Sequence, residues 1–223
     1  MEGMLGFFLM ISVISASGAL APGPLLIATM NLSLKAGRYA GFLAALGHMA
    51  FELPLVLLIG LGVWSFMADP AVRLAIGVVG GAALMAFGLI QARSSIKAIG
   101  SEADSVGGDP LGRLTLGRRG FSAAFLVGFL FTALNPYFLM WWFTVGLILI
   151  SEAIKLGALA GILLMFAFHI WVDYAWLGAA GYAVAVGARF LKPRQISILS
   201  LILALTIIVL GAMFIRSAVT GSL

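Results

Sequence analysis

Six apolar stretches, each long enough to cross a bilayer, occupy most of this chain of 223 residues. A transmembrane helix needs about 20 predominantly apolar residues. The stretches lie at roughly 4–34, 39–66, 71–92, 121–150, 154–188 and 196–215. Only 9% of the residues are charged, whereas a soluble domain carries about 25%, so the chain cannot cover a globular surface. The sequence predicts an all-α integral membrane protein with six transmembrane helices.

Basic residues are distributed unequally between the two sides that these stretches define. Ten of the 13 lysines and arginines fall after the first, third and fifth stretches. Because cytoplasmic loops are enriched in lysine and arginine, we expect these loops inside the cell and both termini outside. The same bias accounts for the net charge of +5, so no nucleic-acid partner is indicated. The chain has no cysteine, which excludes disulfides and thiolate chemistry.

A polar segment divides the chain into two halves. Residues 93–120 contain acidic and basic side chains and the pair Gly107-Gly108, a composition typical of a flexible linker. On either side, residues 1–92 and 121–223 contain three stretches each. Three crossings reverse the direction of the chain, so the halves would form two inverted three-helix repeats joined by a cytoplasmic linker, as in many secondary transporters.

One motif occurs at corresponding places in the two halves. The second stretch contains His48-x-x-x-Glu52, the fifth contains His169-x-x-x-Asp173, and these are the only two histidines of the chain. Counted from the nearest cytoplasmic basic residues, the two acids lie about 21 and 24 Å along their helices. Both carboxyl groups should therefore lie near the middle of the membrane, where ionisable residues usually face a cavity or a partner.

Helix-breaking residues also occur at corresponding places. The first stretch is interrupted at Pro22-Gly23-Pro24 and the fourth at Asn135-Pro136. Proline suits the first turn of a helix and asparagine its N-cap, so each break would start a second half-helix. The N–H groups of such a half-helix can bind a carboxylate, although a proline kink buried in protein is the alternative. Asn31, on the first half-helix, would either line a polar cavity or form a hydrogen bond with the backbone.

Several roles are open to the histidines and acids. The acids could exchange protons for a cation, since a proton and a cation each neutralise a buried carboxylate. Alternatively, they could be neutral groups that hold helices together. The histidines could relay protons, orient the acids, or bind zinc, manganese or nickel together with them.

Tryptophans of the fourth and fifth stretches would either line a pocket or face the protein core and the lipid: Trp141, Trp142, Trp171 and Trp176. The Gly77-x-x-x-Gly81 and Gly157-x-x-x-Gly161 spacings favour close helix packing, within a subunit or in a homodimer.

Two runs of residues resemble the signatures of a transporter family. Pro22-Gly23-Pro24, followed by Asn31, Leu34, Gly37, Arg38, Ala40 and Gly41, resembles the N-terminal signature of the LysE/RhtB amino-acid exporters. Gly128-Phe129-Leu130, followed by Leu134-Asn135-Pro136, resembles the signature of their second half. The resemblance covers nearly the whole chain. It implies an inner-membrane exporter of amino acids or small metabolites that is driven by the proton gradient.

We therefore expect a secondary exporter that exchanges a cationic or zwitterionic amino acid for protons and needs no cofactor. Its site would comprise Glu52, Asp173, His48 and His169 together with the half-helix N-termini. The alternative is a divalent cation exporter in which these four side chains hold the metal. An intramembrane enzyme is a third class, but the sequence shows no Ser/His/Asp arrangement, metalloprotease motif or cofactor-binding loop.

Overall fold

The computed structural model describes residues 2–62, 70–100 and 118–221, and within these ranges it is helical almost throughout and contains no strand. A π-helical turn, Trp142–Gly146, and a 3-10 turn, Ala188–Phe190, accompany the α-helices. The eight α-helices are α1 (Glu2–Ala19), α2 (Pro24–Ala36), α3 (Ala40–Gly60), α4 (Pro70–Gly100), α5 (Arg118–Ala133), α6 (Pro136–Trp141), α7 (Leu147–Gly187) and α8 (Pro193–Val219).

The helices are long and apolar enough for a membrane protein. Among the described residues, α3, α4, α8 and the continuous run 136–190 can each cross a bilayer, and α1 with α2 can form a fifth span although the pair is bent by 75°. Residues 120–133 of α5 are apolar but shorter. The predicted all-α membrane fold is confirmed, whereas the number of six spans and the side of the termini stay predictions.

At both predicted breaks one helix ends and another begins. Gly23 is extended (φ −120°, ψ 175°) and Pro24 is the first residue of α2, because the ring of Pro24 disfavours helical backbone at the residue before it. Asn135 is also extended, and its Oδ1 accepts hydrogen bonds from the backbone N–H groups of Tyr137 and Phe138 at 3.1 and 3.3 Å. Each break therefore exposes a new helix N-terminus.

A third, unpredicted break lies inside α7. Gly157 has φ 141° and Ala158 has φ 14°, both outside the helical region. A Cβ atom on Gly161 would lie 1.9 Å from the carbonyl oxygen of Ala153, although residues eight apart in a straight helix are separated by about 12 Å. The chain thus folds back on itself: Gly157 supplies the positive φ of this reversal, and Gly161 allows the close helix contact expected from the Gly-x-x-x-Gly spacing.

Helix α3 packs closely against α5 because glycines lie at the crossing. A Cβ atom on Gly47 would lie 2.0 Å from the carbonyl oxygen of Phe125, and one on Gly128 would lie 2.0 Å from that of Ala44. Small residues allow helix backbones in a membrane to approach to this distance. The crossing brings the middle of α3, which carries the first His-x-x-x-acid motif, against the second half of the chain.

Helices α4 and α8 pack along each other at one side of the bundle, and a Cβ atom on Gly81 would lie 2.5 Å from the carbonyl oxygen of Gly211. Helix α4 continues to Gly100, beyond the predicted start of the linker at residue 93. Of that linker, residues 101–117 lie outside the described part of the chain. The division at 92 and 121 stays a prediction.

Candidate functional site

The four residues of the two His-x-x-x-acid motifs form one buried cluster, in which 1–7% of each residue is exposed. Glu52 Oε2 lies 3.2 Å from His48 Nε2, and Glu52 Oε1 lies 3.1 Å from His169 Nε2. Asp173 Oδ1 lies 3.6 Å from His48 Nε2, and Asp173 Oδ2 lies 3.5 Å from His169 Nε2. Each histidine therefore contacts the acid of its own helix and the acid of the opposite helix.

The cluster is closed by the approach of α3 to α7. A Cβ atom on Gly41 would lie 2.1 Å from the carbonyl oxygen of Leu177, and one on Gly181 would lie 2.9 Å from the Cα of Gly41. Within each helix the histidine and acid are four residues apart and share a face. Paired charges offset part of the desolvation cost that each would incur alone, which explains how four ionisable groups can be buried together.

Each histidine is also held by a hydroxyl group from the opposite half of the chain. His48 Nδ1 lies 2.8 Å from Thr132 Oγ1, and the Thr132 hydroxyl donates to the carbonyl oxygen of Gly128 at 2.6 Å. Because that hydroxyl proton is already used, Thr132 accepts from His48 Nδ1–H, which assigns the tautomer with Nε2 facing the acids. His169 Nδ1 lies 2.7 Å from Ser15 Oγ on α1.

Trp142 also contacts the buried cluster, and the sequence did not indicate this contact. Its Nε1–H donates to Glu52 Oε1 at 2.9 Å, and the residue is fully buried. Trp142 begins the π-helical turn, a feature often found at functional sites. A Cβ atom on Gly146 would lie 2.3 Å from the indole ring, so the absence of a side chain there makes room for Trp142.

We expect Trp142→Phe to lower the free energy of unfolding by about 1–3 kcal/mol, because it removes a hydrogen-bond donor from a buried carboxyl oxygen. Thermal unfolding of the purified protein in detergent measures this change. The matched control is Trp171→Phe, since Trp171 is 46% exposed and its N–H donates to Ser12 Oγ at 3.1 Å. Equal losses in the two variants would contradict a special role of the bond to Glu52.

A cavity of about 580 Å³ connects this cluster to the helix breaks. Its walls include most of residues 17–26, at the break between α1 and α2, together with Asn135 and three residues of α8: Leu210, Met213 and Phe214. Cavities of this size are typical of small-molecule sites. The lining includes the following predicted site residues: Pro22, Gly23, Pro24, His48, Glu52, Asn135, His169 and Asp173.

Three atoms of the cluster have no well-aligned hydrogen-bond partner among the described residues: His48 Nε2, Glu52 Oε2 and Asp173 Oδ2. The first two are close in distance but poorly aligned in angle. Unsatisfied buried polar groups are costly, so these atoms favour an additional ligand. His48, Glu52 and Asp173 can each offer one donor atom within 4.8 Å of the others, the spacing of a metal site.

Other predicted residues lie away from the cavity lining. Asn31 lies on α2 and is buried against α8, where its Oδ1 accepts a hydrogen bond from Ser200 Oγ at 2.7 Å. Ser200 Oγ in turn accepts a hydrogen bond from Ser95 Oγ at 3.1 Å. Pro136 follows Asn135 in the chain and is the first residue of α6. Of the four tryptophans, Trp141 and Trp142 line the cavity and the other two do not.

The chain is similar to a known protein family. A family model described as LysE type translocator matches residues 16–218. The matched range contains both proline breaks and all four members of the buried cluster. No curated protein and no solved structure matches the chain.

Proposed function

Because this chain belongs to the LysE type translocator family, we propose that it exports amino acids or related small metabolites across the plasma membrane in exchange for protons. Membership in a family of translocators supports transport of a small molecule rather than catalysis. The observation that carries the proposal is that one cavity contains both a helix N-terminus and the buried pairs of acids and histidines.

The proposed membrane arrangement is six spans in two inverted repeats, residues 1–92 and 121–223, with the linker in the cytoplasm and both termini outside. The breaks before α2 and α6 support this arrangement, and so does the reversal at Gly157, which divides the run 136–190 into two antiparallel segments. The hydroxyl bonds cross between the halves in a reciprocal way, with Ser15 on His169 and Thr132 on His48.

The cavity offers complementary groups to a zwitterion. The first turn of a helix has N–H groups without intrahelical partners and the positive end of the helix dipole. At α2 that turn follows Pro24 and lines the cavity, so it would receive a carboxylate. Glu52 and Asp173 would receive the ammonium group, which supplies the donors that Glu52 Oε2 and Asp173 Oδ2 lack.

Exchange for protons follows from the charge balance of the cluster, because the histidines can pair with the charged acids only when they carry protons. Buried carboxylates need either a bound cation or a proton, so release of the substrate would be accompanied by proton uptake. Alternating access would rock one repeat against the other around this layer. The cluster would respond to such a motion because α3 and α7 belong to different repeats and each histidine contacts the acids of both.

A thermal-shift screen of the purified protein tests the substrate class. Ligands would be the twenty amino acids and a panel of divalent metals, at pH 6 and pH 8. A ligand present at 100 times its dissociation constant stabilises the folded state by about 2.7 kcal/mol. We expect stabilisation by amino acids and, in proteoliposomes, amino-acid efflux that is driven by an imposed proton gradient. Efflux unaffected by that gradient would contradict proton antiport.

A second candidate is export of a divalent cation. It is favoured by the close approach of donor atoms from His48, Glu52 and Asp173, a mixed nitrogen and oxygen set that suits zinc, manganese or nickel as cargo. Stabilisation by one of these metals, lost in chelator and lost in Glu52→Gln, would favour this candidate over amino-acid export. A homodimer stays a prediction under either function.

A further inference from the structure

Outside the cluster, the polar side chains that line the cavity are largely engaged with the protein itself. Ser17 donates to the carbonyl oxygen of Ile14 at 2.6 Å, and Thr144 donates to that of Met140 at 2.7 Å. Asn135 Oδ1 caps α6, as described above. These groups position the lining segments, so few polar side chains remain to recognise a polar substrate side chain.

Among the described residues, the lining contains no aspartate, glutamate, lysine or arginine other than Glu52 and Asp173. A second positive charge on a bound substrate would therefore have no acidic partner of its own within the described walls. Placing an unpaired charge in a cavity with low polarity is costly. The cavity thus disfavours a substrate whose side chain carries a cation.

The remaining wall is apolar. It is contributed by four different parts of the chain: the start of α2, α6, the C-terminal part of α7 and the second half of α8. Members of this wall include Leu25, Phe138, Met140, Leu177, Leu210 and Phe214. Methionine side chains are flexible and adapt to ligands of varied shape. Each methylene group that a ligand buries against such a wall improves affinity about fourfold.

We infer that the substrate is a zwitterionic amino acid with a bulky, uncharged, apolar side chain. This inference rests on the proposed function, in which the α-carboxylate binds at the N-terminus of α2 and the α-ammonium at the acids. The unsatisfied oxygens of Glu52 and Asp173, in residues more than nine-tenths buried, mark the ammonium end of the site. The apolar wall then receives the side chain.

Norleucine and lysine test the inference on the unmodified protein, because their carbon skeletons are identical and lysine adds only the terminal ammonium. Competition for counterflow in proteoliposomes gives the affinity of each. We expect norleucine to bind at least tenfold more tightly than lysine. We also expect a rise of about fourfold for each carbon added from alanine through 2-aminobutyrate and norvaline to norleucine.

The outcomes separate the inference from the function on which it rests. Lysine binding equal to or tighter than norleucine binding would overturn the inference and leave amino-acid export standing. A flat response to chain length would overturn it as well. Binding of no amino acid at all, of either kind, would overturn the proposed function and the inference together.

A variant of the wall gives an independent check. Met140→Gln is close in size but polar, and we expect it to weaken norleucine binding about tenfold while alanine binding changes little, whereas Met140→Leu should retain the affinity of the unmodified protein. Met10→Gln is the matched control, because Met10 is 36% exposed and lies outside the cavity lining. Equal effects at the two positions would overturn the assignment of Met140 to the substrate side-chain wall.

Discussion

Replacing Glu52 by glutamine is expected to reduce export to the level of vesicles without the protein, while the protein still folds. Glutamine keeps the size of the side chain, its oxygen can accept from Trp142 Nε1, and its amide can donate to His48 Nε2. What it loses is the exchangeable proton and the negative charge that would bind an ammonium. Export from loaded proteoliposomes under an imposed proton gradient measures the first effect, and thermal unfolding measures the second.

Glu152→Gln is the matched control for this substitution. The Glu152 side chain is 39% exposed and forms an ion pair with Lys155 at 2.5 Å, away from the cavity. We expect this variant to export at the rate of the unmodified protein, whereas Asp173→Asn should resemble Glu52→Gln. Full export by both Glu52→Gln and Asp173→Asn would disprove the role assigned to the carboxyl groups.

Gly47→Ala is expected to cause a large loss of stability at the α3–α5 crossing. The added Cβ would lie 2.0 Å from the carbonyl oxygen of Phe125, a backbone atom that cannot rotate away. Overpacking of this kind typically costs about 1–3 kcal/mol and sometimes more. Separation of the helices would also displace His48, one residue further along α3, so export should fall together with the melting temperature.

The same substitution at Gly187 provides the comparison. A Cβ atom there has no other heavy atom within 4 Å, and alanine favours a helix over glycine by about 0.5–1 kcal/mol. Gly187→Ala should therefore leave the melting temperature unchanged or raise it slightly. Equal melting temperatures for Gly47→Ala and the unmodified protein would show that α3 and α5 are not held at the distance described here.

The parts of the site that could be predicted from sequence are those with a strong local signal. Histidine and acid four residues apart in an apolar helix share a face whatever surrounds them, and intramembrane acids are rarely placed against lipid. Their occurrence in two halves indicated that Glu52 and Asp173 meet. The proline breaks were predictable for a similar reason, because the backbone restrictions of proline act on its immediate neighbours.

Contacts that depend on the packing of distant segments could not be obtained in this way. Ser15 and Thr132 are ordinary small polar residues in apolar runs, although each precedes a helix break by a few residues. Nothing local shows that Trp142 rather than Trp141 donates to Glu52, because the π-helical turn changes which way residues of this segment face. Asn31, on the first half-helix, left two alternatives open from sequence, and its contacts to the backbone and side chain of Ser200 agree with the backbone-binding one.

The reversal at Gly157 has a consequence for how the protein enters the membrane during synthesis. The two segments it joins share one buried cluster that includes Ile150, Ala153, Ile162 and Met165, and the turn between them is very short. Apolar helices joined so tightly are expected to insert as a hairpin in one step. His169 and Asp173 would then reach the bilayer interior already attached to an apolar partner helix, which lowers the cost of inserting an ionisable pair.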